Sequence, residues 1–97
     1  MTEPTVKQMP AFKKVYKKLY SQEKMRVNDA IREIIKNPKI GQEKKGDLSD
    51  VFVYKFKIQH QEMLLAYEWN KQERILLALG SHENFYRDLK QHSRGSV

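Results

Sequence analysis

The 97-residue chain has no cysteine, which excludes a disulfide framework and a thiolate-based metal knuckle. It has no apolar run approaching the length that crosses a bilayer. Glycine is held to four residues and proline to three, with no repeat or low-complexity tract. The segment from Met1 to Pro10 lacks the basic start, apolar middle and small-residue cleavage pattern of a secretory signal. A cytoplasmic setting with no membrane partner is the expectation. Acid is also in short supply: twelve Asp and Glu stand against nineteen Lys and Arg, a formal charge of +7. A chain with that balance repels itself and favours an acidic partner, whether nucleic acid or protein.

What is present suffices for one folded unit. Apolar residues make up 39% and charged residues 32%, too apolar for a disordered chain, while the length allows one core and not two. A single domain over 1–97 is expected, ordered from about 5 to 91, with 92–97 as a tail lacking packing signal. The charge is uneven. Residues 1–40 hold ten Lys/Arg against four Asp/Glu, a balance of +6, while 41–97 hold nine against eight, a balance of +1.

Periodicity along the chain predicts an α+β fold. Thr5 to Met9 alternates as a short edge strand, and Pro10 opens a helix whose Phe12, Val15, Tyr16 and Leu19 share one face, opposite Lys13, Lys14, Lys17 and Lys18. Ser21 reads as the cap of a second helix with Glu23 in its first turn and a stripe of Val27, Ala30, Ile31, Ile34 and Ile35, stopped by Asn37-Pro38. The two helices form a hairpin. Lys39 to Asp50 has no apolar periodicity and reads as a loop. Phe52, Tyr54, Phe56 and Ile58 then alternate with Val51, Val53, Lys55 and Lys57, the pattern of a half-buried strand whose aromatic face meets the helices. Two further strands follow, Met63 to Trp69 and Ile75 to Leu79, with breaks at Gln59–Gln61 and Asn70–Glu73 short enough for an antiparallel meander. The last strand is continuously apolar and should lie centrally, with both faces covered. Gly80 ends it, and Ser81 can cap a short helix on which Phe85 and Leu89 share a face. The expected order is β-α-α-β-β-β-α, a helical hairpin on an antiparallel sheet of three to four strands with a short C-terminal helix.

Three stretches then carry a resemblance. Gly46-Asp47-Leu48-Ser49-Asp50-Val51-Phe52-Val53-Tyr54-Lys55-Phe56-Lys57, Leu64-Leu65-Ala66-Tyr67, and the run from Leu79 through Gly80-Ser81-His82-Glu83-Asn84-Phe85-Tyr86-Arg87 to Asp88-Leu89 occur in an order that resembles the RelE/ParE superfamily of bacterial type II toxins. The resemblance covers most of residues 6–90. It implies a RelE-like fold and a toxin neutralised by a cognate antitoxin that wraps it, with operator DNA engaged only through that antitoxin. RelE-like members cleave mRNA on the ribosome, ParE-like members poison DNA gyrase, and a homologue without activity would serve as a co-repressor. Fold alone does not choose among these.

RNA cleavage by this route needs a group to accept the 2′-hydroxyl proton, a group to protonate the leaving 5′-oxygen, and cations to offset charge growing on phosphorus, with no metal or other cofactor. His82 suits acid or base work because its proton affinity lies near neutral pH. Tyr86, four residues on, can donate a proton or stack on a base, and Arg87 can clamp a phosphate with its planar fork. Lys55 and Lys57 project from one side of a strand and Lys45 precedes it, so the three can line a phosphate track. The superfamily often carries an arginine after the last strand, where this chain has His82. Each residue also has a plainer reading: His82 as a helix-start hydrogen-bonding group, Tyr86 as the rim of the core, Lys55 and Lys57 as a solvated face guarding an edge. The four lysines around the first helix read as a solvent face. His60 and His92 fall in a turn and a tail, and Trp69 reads as core bordering an antitoxin groove.

Overall fold

Proline at the first helical position loses no bond, since that N–H has no partner inside a helix. In the computed structural model, which describes residues 3–44 and 50–81, helix α1 accordingly spans Pro10–Tyr16, directly after strand β1 at Thr5–Gln8. Phe12 is fully buried, while Lys13, Lys14, Lys17 and Lys18 are exposed, as the spacing requires. Helix α2 spans Ser21–Lys36. Its cap differs from the sequence expectation: Ser21 is the first helical residue and Tyr20 holds the extended cap position. The reason is Glu23, whose Oε1 accepts the Tyr20 N–H at 2.8 Å from three residues along. Val27, Ala30 and Ile34 form its buried stripe. Asn37 breaks the helix and its Oδ1 accepts the Lys39 N–H at 3.2 Å, starting a single 3-10 turn at Pro38–Ile40.

The sheet carries five strands in the order β1-β5-β4-β3-β2. Strand β2 is Gln42–Glu43, β3 Phe52–Ile58, β4 Gln61–Trp69 and β5 Glu73–Ser81. The α+β class and the order of the described elements agree with the sequence reading, and β5 lies inside the sheet as expected. Two details differ. The stretch from Lys39 to Asp50, read as loop, contributes the 3-10 turn and β2, which at two residues is too short to show a period. The sheet is also mixed, because β1 runs parallel to β5 while the other pairs are antiparallel. The crossover through the helical pair permits a parallel neighbour that a hairpin cannot make. The expected C-terminal helix lies outside the described residues.

The strand turns carry their own chemistry. Gln59 holds φ at +57° in the two-residue β3–β4 connection, a left-handed conformation such hairpins need at that position. At the other end Asn70 Oδ1 accepts the N–H groups of Gln72 and Glu73 at 2.7 and 2.8 Å, replacing the missing ladder bonds.

Two apolar clusters lie on opposite faces of the sheet. On one face Phe12, Val27, Ala30 and Ile34 of the helices meet Ile58, Met63, Leu65, Tyr67, Leu76 and Leu79, with Phe52, Tyr54, Phe56 and Trp69 packed around them. Each large side chain buried here contributes about 1.5–3 kcal/mol relative to exposure. On the other face Val51, Val53, Leu64, Ala66, Leu77 and Ala78 form a smaller cluster to which α1 and α2 contribute nothing. An irregularity in the β4–β5 ladder separates Ala66↔Ala78 from Tyr67↔Leu76, leaving Leu77 as an extra residue in β5. Consequently Leu77 and Ala78 share one face, and the strand beyond is re-aimed by one residue.

Candidate functional site

The face away from the helices holds the described part of the predicted site. Lys55 and Lys57 are both exposed on β3, following Val51 and Val53 on the same side. The ladders align Lys55 with Leu64 and Leu64 with Gly80, so one row runs across β3, β4 and β5. Paired residues in antiparallel strands share a face, and two strand spacings amount to about 10 Å. The residue that leads into the Ser81-His82 corner therefore stands on the lysine face. It does so because the extra residue at Leu77 shifts the parity of β5; without it, Gly80 would fall on the helix side. Among the described residues neither lysine has a carboxylate within ion-pair distance; the ion pairs are Lys7–Glu73 and Arg32–Asp29. Glu62 stands opposite Lys57 in the ladder without bonding it. His82, Tyr86, Arg87 and Lys45, as well as His92, lie outside the described residues. Thus Lys55 and Lys57 are brought together with the start of the corner, and the remainder of the expected constellation is not described. His60 is exposed in the β3–β4 turn.

On the helix side, two polar residues that the sequence reading gave no such role organise the fold. Arg74 is only 6% exposed. Its Nε and Nη2 donate to the carbonyls of Ile34 and Ile35 at 3.2 and 3.1 Å, and Nη1 donates to the Asn70 and Glu73 carbonyls at 2.7 and 3.1 Å. A guanidinium thus closes the last turn of α2, where carbonyls lack helical partners and a positive charge suits the dipole. Its carbon lies 5.8 Å from the Trp69 ring centroid, within cation–π range. Burial lowers the Arg74 pKa, opposed by Tyr67. Tyr67, fully buried, donates its hydroxyl to the Pro38 carbonyl at 2.6 Å and accepts the Gly41 N–H at 3.0 Å. Burial pushes this phenol up, and the Gly41 bond pulls part of the way back. Gly41 is required by the close approach: a Cβ there would stand 2.7 Å from the Tyr67 hydroxyl. The one available signal for Arg74 was an arginine standing between the Asn70–Glu73 break and the apolar strand that starts at Ile75.

Two clefts flank β3. One, about 550 Å³, is lined by Lys39, Glu43, Asp50, Phe52, Glu68 and Trp69, among others. Trp69 is half-buried there, with Phe52 at its edge at 6.1 Å between centroids. The other lies between α2 and the outer half of β3 as two adjoining cavities of about 420 and 240 Å³, which share Arg26 and Asp29. Among the described residues no three His, Asp or Glu side chains gather as metal ligands, and no helix is long and apolar enough to cross a membrane.

Comparison with known proteins bears on this arrangement. A family model described as ParE-like toxin of type II bacterial toxin-antitoxin system matches residues 6–90. No curated protein matches the sequence. Among solved structures, a doubly substituted E. coli toxin RelE in the free state superposes with a TM-score of 0.72 at 15% identity, covering 99% of each chain. The RelBE2 toxin-antitoxin complex of Mycobacterium tuberculosis gives 0.69 at 15% identity, over 84% of this chain and 100% of that one. The YoeB/ParE toxin of Agrobacterium tumefaciens gives 0.64 at 16%, over 80% and 98%. These likenesses show the shared fold, and the family match extends over nearly the whole chain: the protein belongs to the ParE-like toxins of bacterial type II toxin-antitoxin systems, within the RelE/ParE superfamily.

Proposed function

We propose that the protein is a ribosome-dependent mRNA endonuclease, held in check by a cognate antitoxin in the cytoplasm. The observation that supports this reading best is the row from Lys55 through Leu64 to Gly80, with two exposed lysines on the same face as Gly80, which precedes His82 by two positions in the sequence. In the reaction, the 2′-oxygen of one nucleotide attacks the adjacent phosphorus and the bond to the 5′-oxygen breaks. One of His82 and Tyr86 takes the 2′-hydroxyl proton and the other gives a proton to the departing 5′-oxygen, or Tyr86 stacks on a base. Arg87, Lys45, Lys55 and Lys57 offset the charge on the phosphate. Solved complexes of relatives described as toxin-antitoxin pairs support an antitoxin partner, through which operator DNA would be engaged.

Induction of the chain is expected to arrest growth, with primer extension revealing cuts inside translated messages. The double variant His82→Ala/Tyr86→Ala should lose cleavage by roughly 10²–10⁴-fold while remaining folded and antitoxin-bound. Unchanged toxicity in that variant would remove His82 and Tyr86 from the mechanism. A second reading, poisoning of DNA gyrase by binding, is favoured by the ParE-like description of the matching family. It predicts a DNA-damage response and stalled supercoiling with intact messages.

A further inference from the structure

The two helices meet at a corner whose backbone is held and whose largest side chain is not. Lys17 caps α1, and the Lys18 and Leu19 N–H groups donate to the Val15 and Tyr16 carbonyls, both at 3.1 Å, so the chain turns tightly before α2. Leu19 packs against the helix-side core. Tyr20 follows in an extended conformation fixed from both sides: its N–H donates to Glu23 Oε1 at 2.8 Å and its carbonyl accepts the Lys24 N–H at 2.9 Å. The tyrosine is nevertheless 80% exposed. A ring left in water contributes little to the core, whereas a ring carried on a fixed backbone is a ready stacking surface.

The charge around this ring specifies what it meets. Residues 13–24 hold five lysines, Lys13, Lys14, Lys17, Lys18 and Lys24, against the single acid Glu23, a balance of +4. Among the described residues none of the five is in an ion pair, and Lys17 and Lys18 are exposed immediately before Tyr20. The corner also has a defined place. The first turns of α2 and the β3–β4 connection line one cavity through Gln22, Met25, Ile58 and Gln59. The pairs Ile58↔Gln61 and Met63↔Ser81 put that connection at the end of the sheet where β5 finishes. We propose that Tyr20, Lys17 and Lys18 form a binding site for single-stranded RNA, with an unpaired base stacked on the Tyr20 ring and the flanking phosphates met by the two lysines. Every base has a π-face, so the contact reads strandedness rather than sequence. A duplex keeps its bases stacked on one another and offers the ring none. An acidic protein segment would use the lysines, but a tyrosine that anchors one protein to another sits in a desolvated pocket, and Tyr20 lines none of the cavities that flank β3. The site belongs to the helical layer, apart from Lys55 and Lys57. It goes beyond the endonuclease reading because it requires no cleavage; under that reading it holds a nucleotide away from the cleaved bond.

The test uses the full chain and a nine-nucleotide 2′-O-methyl oligouridylate, which has no free 2′-hydroxyl and cannot be cut. Binding is expected to shift the Tyr20 ring resonances. Tyr20→Ala should weaken affinity about tenfold, and Tyr20→Phe should stay within about twofold of the parent because the stacking face is kept. The loss in Tyr20→Ala should vanish for an abasic strand of the same length, which keeps the phosphates and lacks the bases; a variant that had merely unfolded would lose that strand too. Lys17→Ala/Lys18→Ala should flatten the salt dependence of affinity by about 0.7 units of slope per lysine. Equal affinity of Tyr20→Ala and the parent, a loss in Tyr20→Phe as large as in Tyr20→Ala, an equal loss for the abasic strand, or an unchanged salt slope would overturn the proposal. Tighter binding of a nine-residue glutamate peptide with the same dependence on Tyr20 would also overturn it, assigning the corner to an acidic protein. Since none of these arms involves cleavage, their failure is separable from failure of the endonuclease reading.

Discussion

The two faces of the sheet treat their polar groups in opposite ways. On the helix face Tyr67 and Arg74 are buried and every bond they make goes to backbone: Pro38, Gly41, Ile34, Ile35, Asn70 and Glu73. On the opposite face Lys55 and Lys57 are exposed with no acidic partner among the described residues. A buried polar group earns its place only when its bonds are complete, whereas an exposed cation keeps its water and remains available to a ligand. The buried polar groups of the helix face therefore fix the backbone around them, whereas Lys55 and Lys57 remain in water beyond the smaller core cluster of their own face.

The largest break in this contrast should come from Arg74→Ala. It would strip donors from the last turn of α2 and leave a void beside Trp69, lowering unfolding free energy by about 2–4 kcal/mol in denaturant titration. A loss under about 1 kcal/mol would mean that water or neighbouring groups replace the guanidinium. Gly41→Ala is next: its Cβ would stand 2.7 Å from the Tyr67 hydroxyl, an overpacking expected to cost about 1–3 kcal/mol. In a Tyr67→Phe background, itself costing about 1 kcal/mol, the penalty for Gly41→Ala should shrink because the clashing oxygen is gone. Thermal unfolding of the four proteins in that cycle measures the coupling.

On the other face, Lys55→Ala/Lys57→Ala should leave stability within about 0.5 kcal/mol of the parent. If the proposed phosphate track is correct, RNA binding weakens and the salt dependence of its affinity flattens by roughly one unit of slope per lysine. A large stability loss would instead make these lysines structural. The smallest expected effect is at the outer edge, where the Lys7 Nζ and a Glu73 carboxylate oxygen lie 2.6 Å apart and the carboxyl is held below its usual range, chiefly by that hydrogen bond. A lowered folded pKa stabilises above the unfolded carboxylate value and loses that contribution as pH falls through the lowered one. The gap in stability between the parent and Lys7→Ala should therefore be full at neutral pH and close under acid, and also narrow in high salt.

Much of the fold was legible. Period-3.6 spacing at Val27, Ala30 and Ile34 and period-2 spacing at Phe52, Tyr54 and Phe56 are local consequences of helix and strand geometry, so the helices, the three long strands and their inward faces could be read directly. β2 was not legible, because two residues carry no period. Nor was the parity of β5: Ile75 to Leu79 is apolar throughout, and no sequence signal shows that Leu77 is an extra residue. Within the candidate site, the residue types at Lys55 and Lys57 were evident, but their alignment with Gly80 depended on that hidden irregularity.

The sequence by itself determined a single α+β unit with a basic N-terminal half and a lysine-bearing strand, and it placed the chain in its toxin superfamily. These properties follow from local spacing, charge and word order. Only the tertiary structure decided that Arg74 closes α2 from forty positions away, that Tyr67 ties down Gly41, that Gly80 joins the lysine face, and that β2 pairs with only the first two residues of β3. Each of those is a matter of register or of distant groups meeting. Neither is encoded in the neighbourhood of a single residue.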